Sequence, residues 1–279
     1  MNTVGNEPAL GLGTWRLGES ARSRRSEIAA VRSAIAMGYR LIDTAEMYGD
    51  GGAEEVVGAA VNEALRAGDC TREELTIVSK VLPSNASRRG TVAACERSLK
   101  RLGLDHIDLY LLHWPGSHSL ADTLAGFEAL HERGAIGRWG VSNFDLAVMQ
   151  RLVVLPGGAA CAANQVCYSL SARGIDFDLL PWQRERALPL MAYCPIDQGA
   201  LAAEPRVAAL ARPLGLSAAQ LALAWTLRDG GVIAIPKSAR EAHLRDNLAA
   251  ASVVLDAATR AALDRLFPPP QSTQSLAIV

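Results

Sequence analysis

Asp43, Tyr48, Lys80 and His113, spread over the first half of the chain, are side chains of the types needed to move a proton onto or off an oxygen. A tyrosine, with an ordinary pKa of about 10, donates poorly near neutrality, but a neighbouring ammonium favours the phenolate and lowers that pKa. Lys80 supplies that charge. A buried lysine sheds its proton unless a carboxylate holds it, which gives Asp43 its part. A histidine beside them can hydrogen-bond a carbonyl oxygen and turn it towards the tyrosine. Together the four suit the reduction of a carbonyl or the oxidation of an alcohol. The lysine stands out for another reason: of 28 Lys plus Arg, three are lysines, Lys80, Lys100 and Lys237. Against such an arginine bias a retained lysine points to chemistry that a guanidinium cannot do, because an ammonium shifts its pKa when buried.

The elements that must position these groups are legible in the hydrophobic pattern. His113 ends the apolar run Leu109-Tyr-Leu-Leu-His113-Trp-Pro115, as a buried strand does when its tip emerges into a polar site. Similar runs recur through the chain. The pattern predicts strands at Leu10–Thr14, Arg40–Asp43, Leu75–Lys80, Ile107–His113, Gly137–Ser142, Ala163–Val166, Pro189–Tyr193 and Val232–Ile235. Helices are predicted after Ser26 as N-cap and over Ala53–Ala67, Thr91–Leu102, Ala121–Arg133, Leu146–Leu152, Phe177–Ala187, Ala218–Leu227 and Arg240–Leu248. Eight strand-helix units with no Pro/Gly/Ser-rich linker between halves make an α/β (β/α)8 TIM barrel, a single domain over residues 1–279. Two extra short helices are expected at Pro205–Ala211 and Ala257–Leu266, and Pro268-Pro-Pro270 opens an exposed tail, 268–279. A doubly wound sheet is the alternative. Gly11-Leu-Gly13 has the start of a dinucleotide-binding turn, but Arg16 stands where the third glycine belongs.

In such a barrel chemistry sits at the C-terminal strand ends. Those ends deliver, in order, Thr14 and Trp15; Asp43, with Tyr48 in its loop; Lys80; His113 and Trp114; Ser142 and Asn143; Asn164 and Gln165; Tyr193 and Cys194; Lys237 and Ser238. The amides of Asn143 and Gln165 suit a carboxamide, and Tyr193 offers a flat face to an aromatic ring. A nicotinamide carries both.

Composition excludes several classes. A net charge of -1 lacks the basic excess of a nucleic-acid binder. No apolar run is long enough to span a membrane, and Met1–Leu10 lacks the basic start and apolar centre of a secretory signal, so a cytoplasmic protein is expected. Five cysteines without a C-x-x-C pair argue against a disulfide framework or structural zinc, and the histidines lack ligand spacing, so no metal is expected.

In chain order, Gly11-Leu-Gly-Thr-Trp15, Leu41-Ile-Asp-Thr-Ala-Glu-Met-Tyr48, Ser79-Lys80, Asp108-Leu-Tyr-Leu-Leu-His-Trp-Pro115, Gly140-Val-Ser-Asn-Phe144, Asn164-Gln-Val166 and Ile235-Pro-Lys-Ser238 closely resemble the aldo-keto reductase family. The resemblance runs from about Leu10 to Leu266. It implies Tyr48 as general acid, Lys80 and Asp43 as its tuning pair, and His113 as the carbonyl-orienting residue. It further implies NADPH as cofactor in preference to NADH. Ser142, Asn143 and Gln165 match positions that hold the carboxamide, Tyr193 the position stacking on the ring, Lys237 and Ser238 the 2'-phosphate site, and Asp246 and Asn247 adenine contacts. Thr14 falls among the cofactor positions, and Trp15 and Trp114 among the substrate-pocket walls. Ala45–Gly58 and Ser171–Trp182 are similar to bacterial members assigned to methylglyoxal and general aldehyde reduction.

Three departures bear on this. His243 stands where many members have an arginine clamping the 2'-phosphate; Arg240, one turn earlier, can replace it. Cys194 replaces a common serine. The segments Gly116–Leu120 and Gln198–Pro205 are short, which implies an open pocket of modest selectivity. The expectation is a monomeric or weakly associated NADPH-dependent reductase acting on a small-molecule carbonyl. Against it stand a non-catalytic NADPH-binding sensor that signals to a protein partner, and a metal-dependent isomerase. The intact tetrad opposes the first, and the lack of clustered carboxylates the second. Asp43 with Lys80 as a purely structural pair, and the tryptophans as barrel-mouth filling, are the plainer readings of the same residues.

Overall fold

The computed structural model describes residues 3–4 and 7–278. Met1, Asn2, Gly5, Asn6 and Val279 lie outside them, and with them parts of the Met1–Leu10 segment and the end of the tail. Among the described residues a short antiparallel pair, Thr3–Val4 with Glu7–Pro8, precedes the main sheet. The strands of that sheet are β1 (Leu12–Gly13), β2 (Leu41–Asp43), β3 (Thr76–Val81), β4 (Ile107–Leu112), β5 (Ile136–Ser142), β6 (Asn164–Cys167), β7 (Leu190–Tyr193) and β8 (Val232–Ala234). Their order in the sheet is their order in the chain. Parallel pairing is seen from β1 through β5 and between β7 and β8. Bridges from Leu10 to Ala234 and from Gly13 to Lys237 tie the first strand region to the last. This is the connectivity of a (β/α)8 barrel.

The helices are α1 (Arg24–Ala36), α2 (Gly52–Ala67), α3 (Arg88–Leu102), α4 (Leu120–Glu132), α5 (Leu146–Val153), α6 (Leu179–Glu185), α7 (Ala200–Ala203), α8 (Pro205–Ala211), α9 (Ala218–Leu227), α10 (Glu241–Ala250) and α11 (Ala257–Leu266). The expected strands and helices recur with shifted ends, and three differences have physical causes. Ser26 is not the cap of α1: the helix begins at Arg24, and the Ser26 hydroxyl donates to the Ser23 carbonyl inside its first turn. The helix expected over Phe177–Ala187 is shorter, because the Asp178 carboxylate caps the Leu179 amide and Ala187 takes a left-handed φ of 50°. Arg240 precedes α10 rather than opening it, its amide bonded to the Ser238 hydroxyl. The short α7 has no counterpart in the sequence pattern. No single described helix is long and apolar enough to cross a membrane; α8 with the turn to Leu214 and α9 would pass that test only as a pair bent by 84°.

Packing divides the chain into two compact units. The first comprises residues 12–164 and 237–241. Its strands are buried on most positions, as a sheet covered on both faces requires: Ile77, Val78 and Val81 on β3 and Leu109, Tyr110, Leu111 and Leu112 on β4 are all buried. The second comprises residues 1–11, 165–236 and 242–279. It is centred on Leu190, Met191, Ala192, Leu221 and Trp225.

Candidate active site

Asp43 ends β2, Lys80 is the penultimate residue of β3, and His113 follows β4 directly. Because β2, β3 and β4 are parallel neighbours, their ends emerge side by side, all within the first unit. Lys80 is fully buried. Its Nζ donates to Asp43 Oδ2 at 2.7 Å, to the Thr44 carbonyl at 2.8 Å and to the Tyr48 hydroxyl at 3.2 Å. Three donors meet three acceptors, so the ammonium is saturated. Burial alone would strip its proton, but the Asp43 and Tyr48 charges and hydrogen bonds outweigh that and hold its pKa above the ordinary value. The Tyr48 hydroxyl accepts from the lysine, so its own proton is not spent on that contact.

Tyr48 reaches this position through a loop that a longer side chain would disrupt. Gly49 and Gly51 have φ of 58° and 88°, and Asp50 shares the left-handed region at 51°. A Cβ on Gly18 or Gly52 would collide with the other's backbone, and one on Gly49 would lie 2.9 Å from the Gly18 carbonyl carbon. The Tyr48 loop and the loop after Trp15 therefore pack backbone to backbone, which only glycine permits at these positions.

His113 lies edge-on to Tyr48, with ring centroids 5.7 Å apart, and against Trp114 at 4.8 Å. Burial, with the Lys80 charge adding to it, drives the His113 pKa down to about 2. At that value the ring is neutral across the physiological range and carries a single N–H donor. Its Nδ1 is buried with no partner among the described residues. Trp15, under the Arg16 guanidinium at 4.5 Å, and Trp114 are both partly exposed.

The remaining candidates lie at other strand ends. In the first unit Thr14 is fully buried, and both its hydroxyl and its amide donate to the Asp43 carbonyl; it supports the tetrad from within. Ser142 is buried, and Asn143, with a φ of 58°, donates to the His113 carbonyl and the Ser142 hydroxyl. Lys237 and Arg240 are exposed and Ser238 half-buried. In the second unit Gln165 is buried and Tyr193 partly exposed, its hydroxyl donating to the Ala277 carbonyl of the tail at 3.5 Å. There too His243 and Asp246 are exposed on α10 and Asn247 is buried. Burial, with the Asp197 charge adding to it, pushes the Cys194 thiol up to about 11 and so disfavours its thiolate. No group of three metal-ligating side chains occurs among the described residues.

Supporting carboxylates escape a reading of the sequence. Glu54, fully buried on α2, accepts from the Ser79 hydroxyl at 2.5 Å and from Arg101 Nε at 2.6 Å, fastening β3 beside Lys80. Glu46, in the Tyr48 loop, bonds the segment after Lys80. Their one visible signal is a glutamate within an apolar pattern, which periodicity alone does not distinguish from an exposed charge.

The model of the aldo/keto reductase family matches residues 9–267. The chain belongs to this family. It is 48% identical over 277 residues to the methylglyoxal reductase YeaE of Escherichia coli strain K12, covering 98% of this chain and 95% of that one. It is 35% identical over 240 residues to the glyoxal reductase of Bacillus subtilis strain 168, covering 86% and 82%. The crystal structure of an aldo/keto reductase from Klebsiella pneumoniae in complex with NADP and acetate superposes with a TM-score of 0.92 at 48% identity, covering 98% of this chain and 95% of that one. The fold of this aldo-keto reductase is thus the α/β barrel that the pattern of strands and helices predicts.

Proposed function

We propose that this aldo-keto reductase uses NADPH to reduce a small aldehyde or ketone to its alcohol, with methylglyoxal and related 2-oxoaldehydes as the substrate class. The observation that carries the reading is the fully buried Lys80, bonded at once to Asp43 and to the Tyr48 hydroxyl. His113 donates through Nε2 to the substrate carbonyl oxygen and turns it towards Tyr48. Tyr48 then protonates that oxygen, and the Lys80 ammonium stabilises the phenolate left behind. Asp43 keeps the lysine charged. Trp15 and Trp114 form apolar walls. The substrate names of the relatives YeaE and glyoxal reductase agree with this choice.

The donor set fits NADPH. By type, Ser142, Asn143 and Gln165 each carry a hydroxyl or amide that can both donate to and accept from a carboxamide, and Tyr193 carries a flat ring. Lys237, Ser238 and Arg240, just before the start of α10, would hold the 2'-phosphate, with His243 alongside and Asp246 and Asn247 towards the adenine. When bound, the cofactor supplies the hydride. The same reading takes residues 1–279 as one domain and the protein as a cytoplasmic monomer that binds neither nucleic acid nor membrane.

The test is NADPH oxidation with methylglyoxal, an aromatic aldehyde, an aldose and a bulky ketone, run on the wild type and on Tyr48→Phe. Turnover of the small aldehydes is expected, with NADPH binding kept in the variant and its rate lower by roughly 1,000-fold or more. Binding without turnover by the wild type would favour the sensor, and unchanged turnover by Tyr48→Phe would remove the tyrosine from its role.

A further inference from the structure

We propose that Glu46 is the positioning residue for Tyr48: its buried carboxylate fastens the loop that carries the tyrosine to the segment that follows Lys80. The inference rests on the reading of Tyr48 as proton donor. Glu46 lies two residues before Tyr48, and Leu82 two residues after Lys80. Glu46 Oε1 accepts from the Leu82 amide at 2.7 Å and from Asn85 Nδ2 at 2.9 Å, and its own amide donates to the Lys80 carbonyl at 3.4 Å. Oε2 lies 3.6 Å from Arg97 on α3. The Glu46 side chain is 6% exposed and that of Arg97 50%, so the cation is largely screened by water while the two bonds to Oε1 are not.

Two different fastenings therefore hold the same loop. On one side Gly18, Gly49 and Gly52 lock it to the loop after Trp15; on the other Glu46 ties it to the chain leaving β3. Lys80 needs no such help. Its backbone is fixed in the sheet between β2 and β4, and its Nζ by Asp43 and the Thr44 carbonyl. The member of the trio carried by a loop and not by a strand is the tyrosine, and three consecutive left-handed residues follow it. A drift of about 1 Å can cost 100-fold in rate, so a brace at this point acts on proton transfer and not on cofactor affinity.

Glu46→Ala and Glu46→Gln test this. The alanine variant is expected to lose about 10- to 100-fold in kcat. Its NADPH affinity by fluorescence titration should stay as in the wild type, and its solvent deuterium isotope effect on kcat should be larger, because protonation becomes more rate-limiting. Glutamine keeps the Oε1 acceptor and should restore both kcat and the isotope effect. If the alanine variant does not fold, Asn85→Ala removes one of the two bonds and should show a smaller change in the same direction. Wild-type kcat and isotope effect in the folded alanine variant, or in Asn85→Ala where it is needed, would overturn the proposal. So would a glutamine variant as impaired as alanine, since charge rather than the brace would then matter. Tyr48→Phe run in parallel separates the two claims: if that variant is active, the proton-donor reading fails, and if it is inactive while Glu46→Ala is normal, only the brace fails.

Discussion

Tyr48, Lys80 and Asp43 in one unit of the molecule, and Tyr168, Arg228 and Asp176 in the other, are the same three kinds of side chain put together in different orders. In the first the cation stands in the middle: Lys80 donates to both the aspartate and the partly exposed tyrosine, whose hydroxyl accepts. In the second the aspartate takes the proton directly, with the fully buried Tyr168 donating to Asp176 at 2.6 Å and accepting from Arg228 at 3.0 Å. Burial and the Asp176 charge push the Tyr168 hydroxyl well up, whereas Arg228 pulls less strongly the other way. Arg173 bonds Asp176, Asp264 and the Phe267 carbonyl, and Trp225 lies beneath both guanidinium groups, at 4.8 and 3.6 Å. The result is a clamp that ties residues 173–176, 225–228 and 264–267 together. Proton chemistry thus depends on which group stands between the other two, and on a compact ammonium where a guanidinium would make fixed bidentate bonds.

The clamp can be broken without touching the site. Asp176→Ala leaves two guanidinium groups in the interior without their shared carboxylate and should cost about 3 kcal/mol of stability. Thermal unfolding should show a Tm lower by about 10 °C, with kcat at a permissive temperature unchanged. A fall in kcat without loss of stability would mean that the second trio has a part in turnover.

A smaller effect sharpens the contrast from the catalytic side. His113 titrates at about 2 in the folded protein and near 6.5 when unfolded, so the unfolded chain binds the extra proton in between. Stability linked to His113 is present above pH 6.5 and falls as the pH drops below it. Chemical denaturation of the wild type between pH 7 and 5 should show that slope, and His113→Asn should flatten it. An equal slope in both would place the ring in water.

The barrel and the meeting of Asp43, Tyr48, Lys80 and His113 were legible because both rest on local signals. Apolar runs of strand length alternate with helical spacing, and a chemically apt residue stands where each run stops, as at Lys80 and His113. The placement of Ser26 and the length of α6 depended on cap choices between nearby polar residues, which local pattern leaves open. The Trp225 clamp and the Glu46 brace were invisible for a different reason. Residues 173, 176, 228 and 264, or 46, 82, 85 and 97, meet only after the chain has folded, and the charged ones among them each have the appearance of an ordinary surface charge. The retained lysine was the exception, since its rarity marked a place where the fold uses an ammonium.

Lys80→Arg tests that central point most directly, because it keeps the charge and removes the compact group. Single-turnover reduction of methylglyoxal, on a variant shown by circular dichroism to be folded and by fluorescence titration to bind NADPH, should be slower by about 100-fold or more. A wild-type rate would contradict the role of the Lys80 ammonium between Asp43 and Tyr48.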